Sequence, residues 1–355
     1  MWQSVDHEID VFMREAERRG ACLESYPGRL HRALERRLES GELVSPLPRL
    51  YARAEAWRTL GQTERTLSMM RALGELHPDW VFCGTSAAVA HSLSVSNRLH
   101  EPLQVVTSSG ARRYHGGRVA AAHARNEVSV TVSGVSATTL ERTVFDCMRR
   151  HGFPEGLAIA DSALRKGGLS GDALVAYVSS MGPRYRGFKQ AKMTASFADP
   201  RPENGMESIA RATMYQLGYQ MPDLQVPVHD PLSPGRALRV DFMWVLPDGT
   251  VIIGELDGGE KVWNPEMNGG SPLMALRRER RRESRITIDR PKIIRFSPEE
   301  VGDLYEFNRL LETFGVPRDH EPLVTHSGRP HPRPRSGGGV RASMRRAHPH
   351  LCCAE

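Results

Sequence analysis

Two apolar segments joined by a short turn constrain the fold of this chain more than any other feature. They read LRVDFMWVL and TVIIGEL, and Pro-Asp-Gly separates them at 247–249. This turn sequence favours a type I turn closed by Gly249 in the left-handed conformation, which makes a three-residue loop with a G1 bulge. A loop of that length sets the register of the hairpin, so that Asp241 opposes Glu255.

Directly opposed residues of two antiparallel strands share a face of the sheet, so Asp241 and Glu255 should lie about 5 Å apart at Cβ. Asp257 follows Glu255 by two residues and is on the same side. A two-residue loop would put the two opposed carboxylates on opposite faces, so this prediction depends on the loop length. Apolar residues occupy both faces of the hairpin, which predicts a central sheet covered by helices on both sides.

A fourth carboxylate, Glu207, lies near the start of an amphipathic helix that the apolar spacing predicts over 203–219. Opposed carboxylates repel and are costly to bury, and a bound divalent cation removes that cost. A site of carboxylate oxygens suits Mg²⁺ or Mn²⁺, which can activate water and stabilise charge on a phosphodiester. The alternative is that these acids are exposed strand-end residues paired with Arg239 or Lys261.

The hairpin is followed by a strongly basic stretch. Residues 277–295 contain nine basic side chains and three acids. On a helix, Arg278, Arg282 and Arg285 share one face. A basic helix beside an acidic metal site is suited to a phosphate backbone, whereas the alternative is a solvated helix with Glu–Arg pairs.

The first 60 residues predict two helices followed by a small hairpin, the pattern of a winged helix-turn-helix. Arg29, Arg32 and Arg36 on the second helix are candidate DNA contacts. The same stretch has ten arginines and ten acids, so an ordinary solvated helix face is the alternative. Residues 64–197 predict a mixed α/β block without a catalytic spacing, which makes a structural role the expectation for this middle domain.

The formal net charge of +6 comes mostly from the last 34 residues, 322–355, which hold six arginines and one acid. Their Pro, Gly, Arg and His content predicts a disordered basic tail. The chain has no run of 18 apolar residues and no signal-peptide pattern at its start, and its five cysteines form no CxxC pair. We therefore expect a cytoplasmic protein without a membrane partner and without a small-molecule cofactor.

The C-terminal motifs resemble a known superfamily. Glu207, then Asp241, then Glu-x-Asp at 255–257 is similar to the PD-(D/E)xK nucleases. The stretch VDFMWV…GELDG…ERRRESRI…IIRFSPEEV looks like their branch of very-short-patch-repair-like endonucleases, across roughly 203–316. The front half, with GELVSPLPRLYAR and SGVSATTLERTVFD, resembles actinobacterial proteins that carry an AbiEi-like antitoxin domain.

The resemblance implies a multidomain α/β protein with an α+β front half. Its parts are a winged helix-turn-helix (1–60), a middle α/β domain (64–197) and a restriction-endonuclease-like α/β domain (203–318). It also implies that Asp241 and Glu255 bind the metal and that Glu207 supports the metal or its water. The superfamily's water-orienting lysine falls at Asp257, so either Lys261 supplies the ammonium group or Asp257 is a further ligand.

Three functions follow from these patterns. The first is a Mg²⁺-dependent DNA endonuclease, a hydrolase, with Glu207, Asp241 and Glu255 at the metal and Lys261 or Asp257 near the water. The second is a non-catalytic DNA-binding transcriptional regulator of the toxin–antitoxin type. The third is a module that binds a partner protein and uses the nuclease fold only as a scaffold.

Overall fold

The computed structural model describes residues 5–25, 27–107, 113–114, 117–123, 128–230, 237–257 and 290–324. Within these ranges the chain forms twelve α-helices and three β-sheets, and the protein is a mixed α/β structure. The tail beyond residue 324 and the segment 258–289, which contains most of the basic stretch 277–295, lie outside the described residues.

The first sheet has three short strands, in the order β1-β3-β2, packed against two helices. Its elements are α1 (Val5–Arg18), β1 (Leu23–Glu24), α2 (Arg29–Glu39), β2 (Leu43–Leu47) and β3 (Leu50–Arg53). The apolar faces of both helices meet the hairpin in one cluster, made of Ile9, Met13, Ala33, Leu34, Leu43 and Tyr51. The predicted order of helix, helix and hairpin is therefore present, with β1 between the helices.

The second sheet has six strands in the order β6-β7-β5-β4-β9-β8, with parallel pairing of β5 to β7 and of β4 to β9. Its strands are β4 (Val81–Phe82), β5 (Leu103–Thr107), β6 (Arg113–Tyr114), β7 (Val119–His123), β8 (Ser129–Val132) and β9 (Val135–Thr138). The helices that precede or interrupt the sheet are α3 (Ala54–Thr59), α4 (Gln62–Leu76) and α5 (Gly84–Ala90), together with a 3₁₀ turn at Asn97–Leu99. Four helices follow it: α6 (Leu140–Arg150), α7 (Phe153–Arg165), α8 (Gly171–Met181) and α9 (Phe188–Phe197).

The third sheet has four strands in sequence order, β10-β11-β12-β13. Its elements are α10 (Gly205–Gln216), β10 (Asp223–His229), β11 (Ala237–Val245), β12 (Val251–Leu256), β13 (Lys292–Phe296), α11 (Pro298–Gly302) and α12 (Leu304–Phe314). The first three strands are antiparallel and β12 pairs with β13 in parallel. Helices α10, α11 and α12 cover one face; in the described residues the cluster on the other face contains strand residues alone. The helical cover expected over that second face stays a prediction.

The loop between β11 and β12 has the predicted geometry. Gly249 has a φ of 84°, the backbone N–H of Leu246 donates to Thr250 O at 2.9 Å, and that of Gly249 donates to Leu246 O at 2.9 Å. The ladder pairs Val245 with Val251, as the three-residue loop requires. The register inferred from the Pro-Asp-Gly turn is therefore confirmed.

Helices α7 and α10 pack against each other across the break expected near residue 200. Their shared apolar cluster has Phe153, Leu157 and Ala212 at its centre. Beside it, Asp161 and Arg211 form an ion pair at 2.6 Å, with both side chains almost fully buried. The middle and C-terminal parts of the chain therefore share a core at this interface.

Strand β10 and helix α9 are among the elements that the sequence-based prediction did not contain. Strand β10 contains Pro227, which cannot donate a ladder hydrogen bond and is tolerated because β10 is at the edge of its sheet. No helix in the described part of the chain has the length and apolar character needed to cross a membrane.

Candidate functional site: an acidic cluster at a strand end

The ladder between β11 and β12 ends where the acids begin. Its last pair is Phe242 with Gly254, and the same register continued by one step sets Asp241 opposite Glu255. There the side chain of Asp241 replaces the main-chain pairing, because its Oδ2 accepts the backbone N–H of Leu256 at 3.0 Å. Asp241 is thereby fixed at the point where the two strands separate.

Glu207 is held at the start of α10. Asn204 caps this helix, since its Oδ1 accepts the backbone N–H groups of Met206 and Glu207 at 2.9 and 3.0 Å. The Glu207 carboxylate in turn accepts the backbone N–H of Glu203 and the Nδ2 of Asn204, both at 2.6 Å. With 2% of its surface exposed, Glu207 is a buried carboxylate in a capping arrangement.

Gln225 in β10 connects the two acids. Its Nε2 donates to Glu207 Oε2 at 2.9 Å and to Asp241 Oδ1 at 3.3 Å, which uses both N–H groups of one amide. The backbone of Gln225 has a φ of 53°, a left-handed conformation that is rare and costly for a residue other than glycine. Sequence reasoning missed this residue, because a strained backbone position leaves no signal in a single sequence.

The other two acids lie on β12 and directly after its end. Glu255 is 7% exposed and opposes Arg295 in the parallel register of β12 and β13. Asp257 is exposed, and its Oδ1 lies 3.1 Å from Nη1 of Arg295. Arg239, the described residue of the two alternative partners, contacts Glu203.

The carboxylate oxygens of this site fit a hard divalent cation in part. Among the described residues, no group of three or more His, Cys, Asp or Glu side chains is arranged to hold a metal ion. Asp241 and Glu255 nevertheless offer carboxylate oxygens from opposed positions. An oxygen-only set of this kind suits Mg²⁺ or Mn²⁺.

Four of the predicted site residues, Lys261, Arg278, Arg282 and Arg285, lie outside the described residues. Their proposed positions near the acids stay predictions. Of the seven described site residues, Glu207 and Asp241 are brought together through Gln225, while Glu255 lies on β12 and Asp257 directly follows its end.

The arginines of α2 divide into two groups. Arg29 pairs with Glu8 at 3.0 Å, and Arg37 is surrounded by Asp6, Asp10 and Glu42. Arg32 and Arg36 are exposed. Within the described residues, neither of these two makes a hydrogen bond or an ion pair through its side chain. They are one helical turn apart, so both guanidinium groups face solvent on the same side.

The proteins that this chain resembles carry no stated activity. The chain is 37% identical over 113 residues to uncharacterized proteins from two strains of Mycobacterium tuberculosis, and the matched part covers 32% of this chain. The match spans 41% of the length of these relatives. No protein family and no solved structure matches the chain.

Proposed function

We propose that the chain is a DNA-binding protein with a restriction-endonuclease-like C-terminal domain that hydrolyses DNA phosphodiester bonds with Mg²⁺ or Mn²⁺. The proposal depends on one observation, the Gln225 amide that joins Glu207 to Asp241 at the end of the β11–β12 ladder. A strained residue fixed between two carboxylates is typical of a functional site, since the surrounding structure has to offset its backbone cost. The resemblance of the segment 203–316 to PD-(D/E)xK nucleases supports the same conclusion.

The residues have separate tasks in this proposal. A divalent cation would activate a water molecule and stabilise the charge that develops on the phosphodiester. Asp241 and Glu255 would hold the cation through their carboxylate oxygens. Gln225 would orient Asp241, and Glu207, fixed by Asn204, would hold Gln225 in place. Lys261 is the residue that the sequence offers for orienting the water.

DNA binding is assigned to a winged helix-turn-helix made of α1, α2 and the β2–β3 hairpin. Arg32 and Arg36 support this assignment, because exposed guanidinium groups one turn apart can each pair with a phosphate oxygen. The basic stretch 277–295 would add phosphate contacts beside the acids.

The test is nicking of supercoiled plasmid DNA by the full chain at fixed salt, with Mg²⁺, Mn²⁺ or EDTA. We expect metal-dependent conversion to open circles. Asp241→Asn should lower the nicking rate by more than the roughly 10–100-fold that is typical when a residue that only supports a metal ligand is changed. The exposed Asp172 of α8 provides the control, because Asp172→Asn removes the same charge away from the site. Equal nicking by the Asp241 and Asp172 variants would refute the proposed site.

A second candidate is a DNA-binding regulator of the antitoxin type that does not cut. The ion pair between Asp257 and Arg295 favours it, because an acid already occupied by an arginine stands where the resemblance implies a lysine. In that case no metal supports nicking, and duplex binding that depends on Arg32 and Arg36 persists.

A further inference from the structure

A strongly basic surface lies where the chain passes from α8 into α9. No Asp or Glu occurs between Asp172 and Asp199, and this segment contains four basic side chains. They are Arg184 and Arg186 in the loop before α9, and Lys189 and Lys192 on α9 itself. Residues 1–321 as a whole hold 42 basic and 41 acidic side chains, so the charge of +4 in this segment is a local concentration. We call these four residues the α9 basic surface.

The four cations of the α9 basic surface are exposed and have no counter-ion. In the described part of the chain none of them makes an ion pair, whereas Arg142 and Arg149 of α6 are paired with Asp146 at 2.9 and 2.6 Å. Lys189 and Lys192 are three positions apart, so they share one face of α9. Like charges held close together repel, and an anionic partner removes that repulsion.

The backbone that carries these charges is fixed to α6. Tyr185, between the two loop arginines, packs edge-on against Phe145 with the ring centroids 5.3 Å apart. Arg149 Nη1 donates to the backbone oxygen of Arg186 at 3.4 Å. Gly187 precedes α9 at a φ of 83°, where a Cβ would overlap the carbonyl oxygen of Arg149. The cations therefore extend from a backbone that is already ordered.

The α9 basic surface suits a phosphate backbone better than a membrane. Binding at a membrane surface needs apolar side chains exposed beside the charges. Tyr185 and Phe188, the aromatic residues among these cations, pack instead against the core formed by α6 and α7. Among the described residues, no large apolar side chain between Val175 and Val245 is exposed. Duplex DNA carries about one negative charge per 1.7 Å of its axis, so several neighbouring cations can each neutralise a phosphate.

We propose that the α9 basic surface binds the sugar-phosphate backbone of duplex DNA, as a contact separate from Arg32 and Arg36 of α2. This inference rests on the DNA binding proposed above and gives a part in it to the middle domain, for which the sequence predicts a structural role. Contacts of lysine and arginine with phosphates carry no base readout, so the surface adds affinity without sequence preference. Each phosphate contact should add about 0.9 to the slope of log K against log salt concentration.

The experiment measures binding of the full chain to a short DNA duplex by fluorescence anisotropy, at about 50 and about 200 mM salt. One double variant is Arg184→Gln with Arg186→Gln, and the other is Lys189→Gln with Lys192→Gln. Glutamine keeps a polar side chain and a good helix propensity. We expect each double variant to bind more weakly than the wild-type protein at the lower salt concentration. Between the two concentrations its affinity should fall about tenfold less than that of the wild-type protein, since two contacts are lost.

The control is Arg58→Gln with Arg309→Gln, which removes two exposed positive charges from α3 and α12. This variant should keep the wild-type salt dependence. An equal loss of salt dependence in the control would reduce the effect to net charge and overturn the inference.

The remaining outcomes distinguish this inference from the proposed function. Wild-type salt dependence in both double variants would overturn the α9 contact and leave DNA binding by α2 in place. Absence of duplex binding by the wild-type protein at either salt concentration would overturn both. Vesicles of phosphatidylcholine and phosphatidylserine are the second probe. Vesicle binding that both double variants lose, together with unchanged DNA binding, would overturn the inference in favour of a membrane surface.

Discussion

Replacement of Asp161 by asparagine should destabilise the protein strongly. Asp161 is 0% exposed and its partner Arg211 is 2% exposed. Arg211 Nη2 lies 2.7 and 2.6 Å from the two carboxylate oxygens, and Nε lies 3.2 Å from Oδ2. Burial raises the pKa of Asp161, and the guanidinium of Arg211 opposes that rise. The asparagine leaves the buried arginine without the carboxylate that pairs with it directly.

The magnitude follows from what remains around Arg211. Its Nη2 keeps one acceptor, Phe197 O at 2.9 Å, and the amide oxygen of asparagine can still accept the Asp199 N–H that Asp161 accepts at 2.8 Å. Breaking a buried pair by removing one partner costs about 3–5 kcal/mol. If the middle and C-terminal parts unfold together, the melting temperature should fall by roughly 6–20 °C.

Thermal unfolding followed by circular dichroism measures this loss, with Glu306→Gln as the matched control. Glu306 pairs with Arg309 on the exposed side of α12, and its loss should cost less than about 1 kcal/mol. The double variant Asp161→Leu with Arg211→Met should recover most of the stability, since a packed apolar pair has no buried charge. A change below 2 °C in Asp161→Asn, or a double variant no better than the single one, would refute the reasoning.

The remaining predictions address the metal, the DNA contacts and pH. Mg²⁺ should raise the melting temperature by mass action, and Asp241→Asn should remove most of that rise; an unchanged response in the variant would argue against the site. The double variant Arg32→Ala with Arg36→Ala should weaken duplex binding and reduce the slope of log K against log salt concentration by about 2. Fluorescence anisotropy measures this, with Arg58→Ala as the control. Burial lowers the pKa of His100 from 6.5, so the folded state takes up a proton on this imidazole only at a lower pH than the unfolded state does. Its contribution to stability is complete above pH 6.5 and is lost as the pH falls from 6.5 through the lower pKa of the folded state. His100→Gln should therefore make the decline in unfolding free energy between pH 7 and 5 less steep. An equally steep decline in the variant and the wild-type protein would contradict the role given to His100.

The turn and its register were predictable from sequence because they are local. Three residues at 247–249 decide the loop, and the loop decides that Asp241 faces Glu255. The cap of α11 is local in the same way, since Ser297 and Glu300 form a capping box. Each of these features depends on residues within a few positions of one another.

The parts that sequence reasoning missed depend on distant contacts. Strand β10 contains a proline and a strained glutamine, and neither signals a strand. The link from Gln225 to Glu207 joins positions 18 apart, and the α7–α10 pairing buries an arginine that looks like any surface residue in the sequence. Such contacts are decided by packing, which local propensity does not contain.

The pairing of Asp161 with Arg211 also has a consequence for synthesis on the ribosome. The arginine follows the aspartate by 50 residues, so at 5–20 residues per second it is made about 2.5–10 s later. During that interval the face of α7 that α10 covers is exposed, with Phe153 and Leu157 beside an unpaired carboxylate. A chain stalled shortly before Arg211 therefore presents an apolar surface to chaperones, and the middle part of the protein completes its packing only when the next helix emerges.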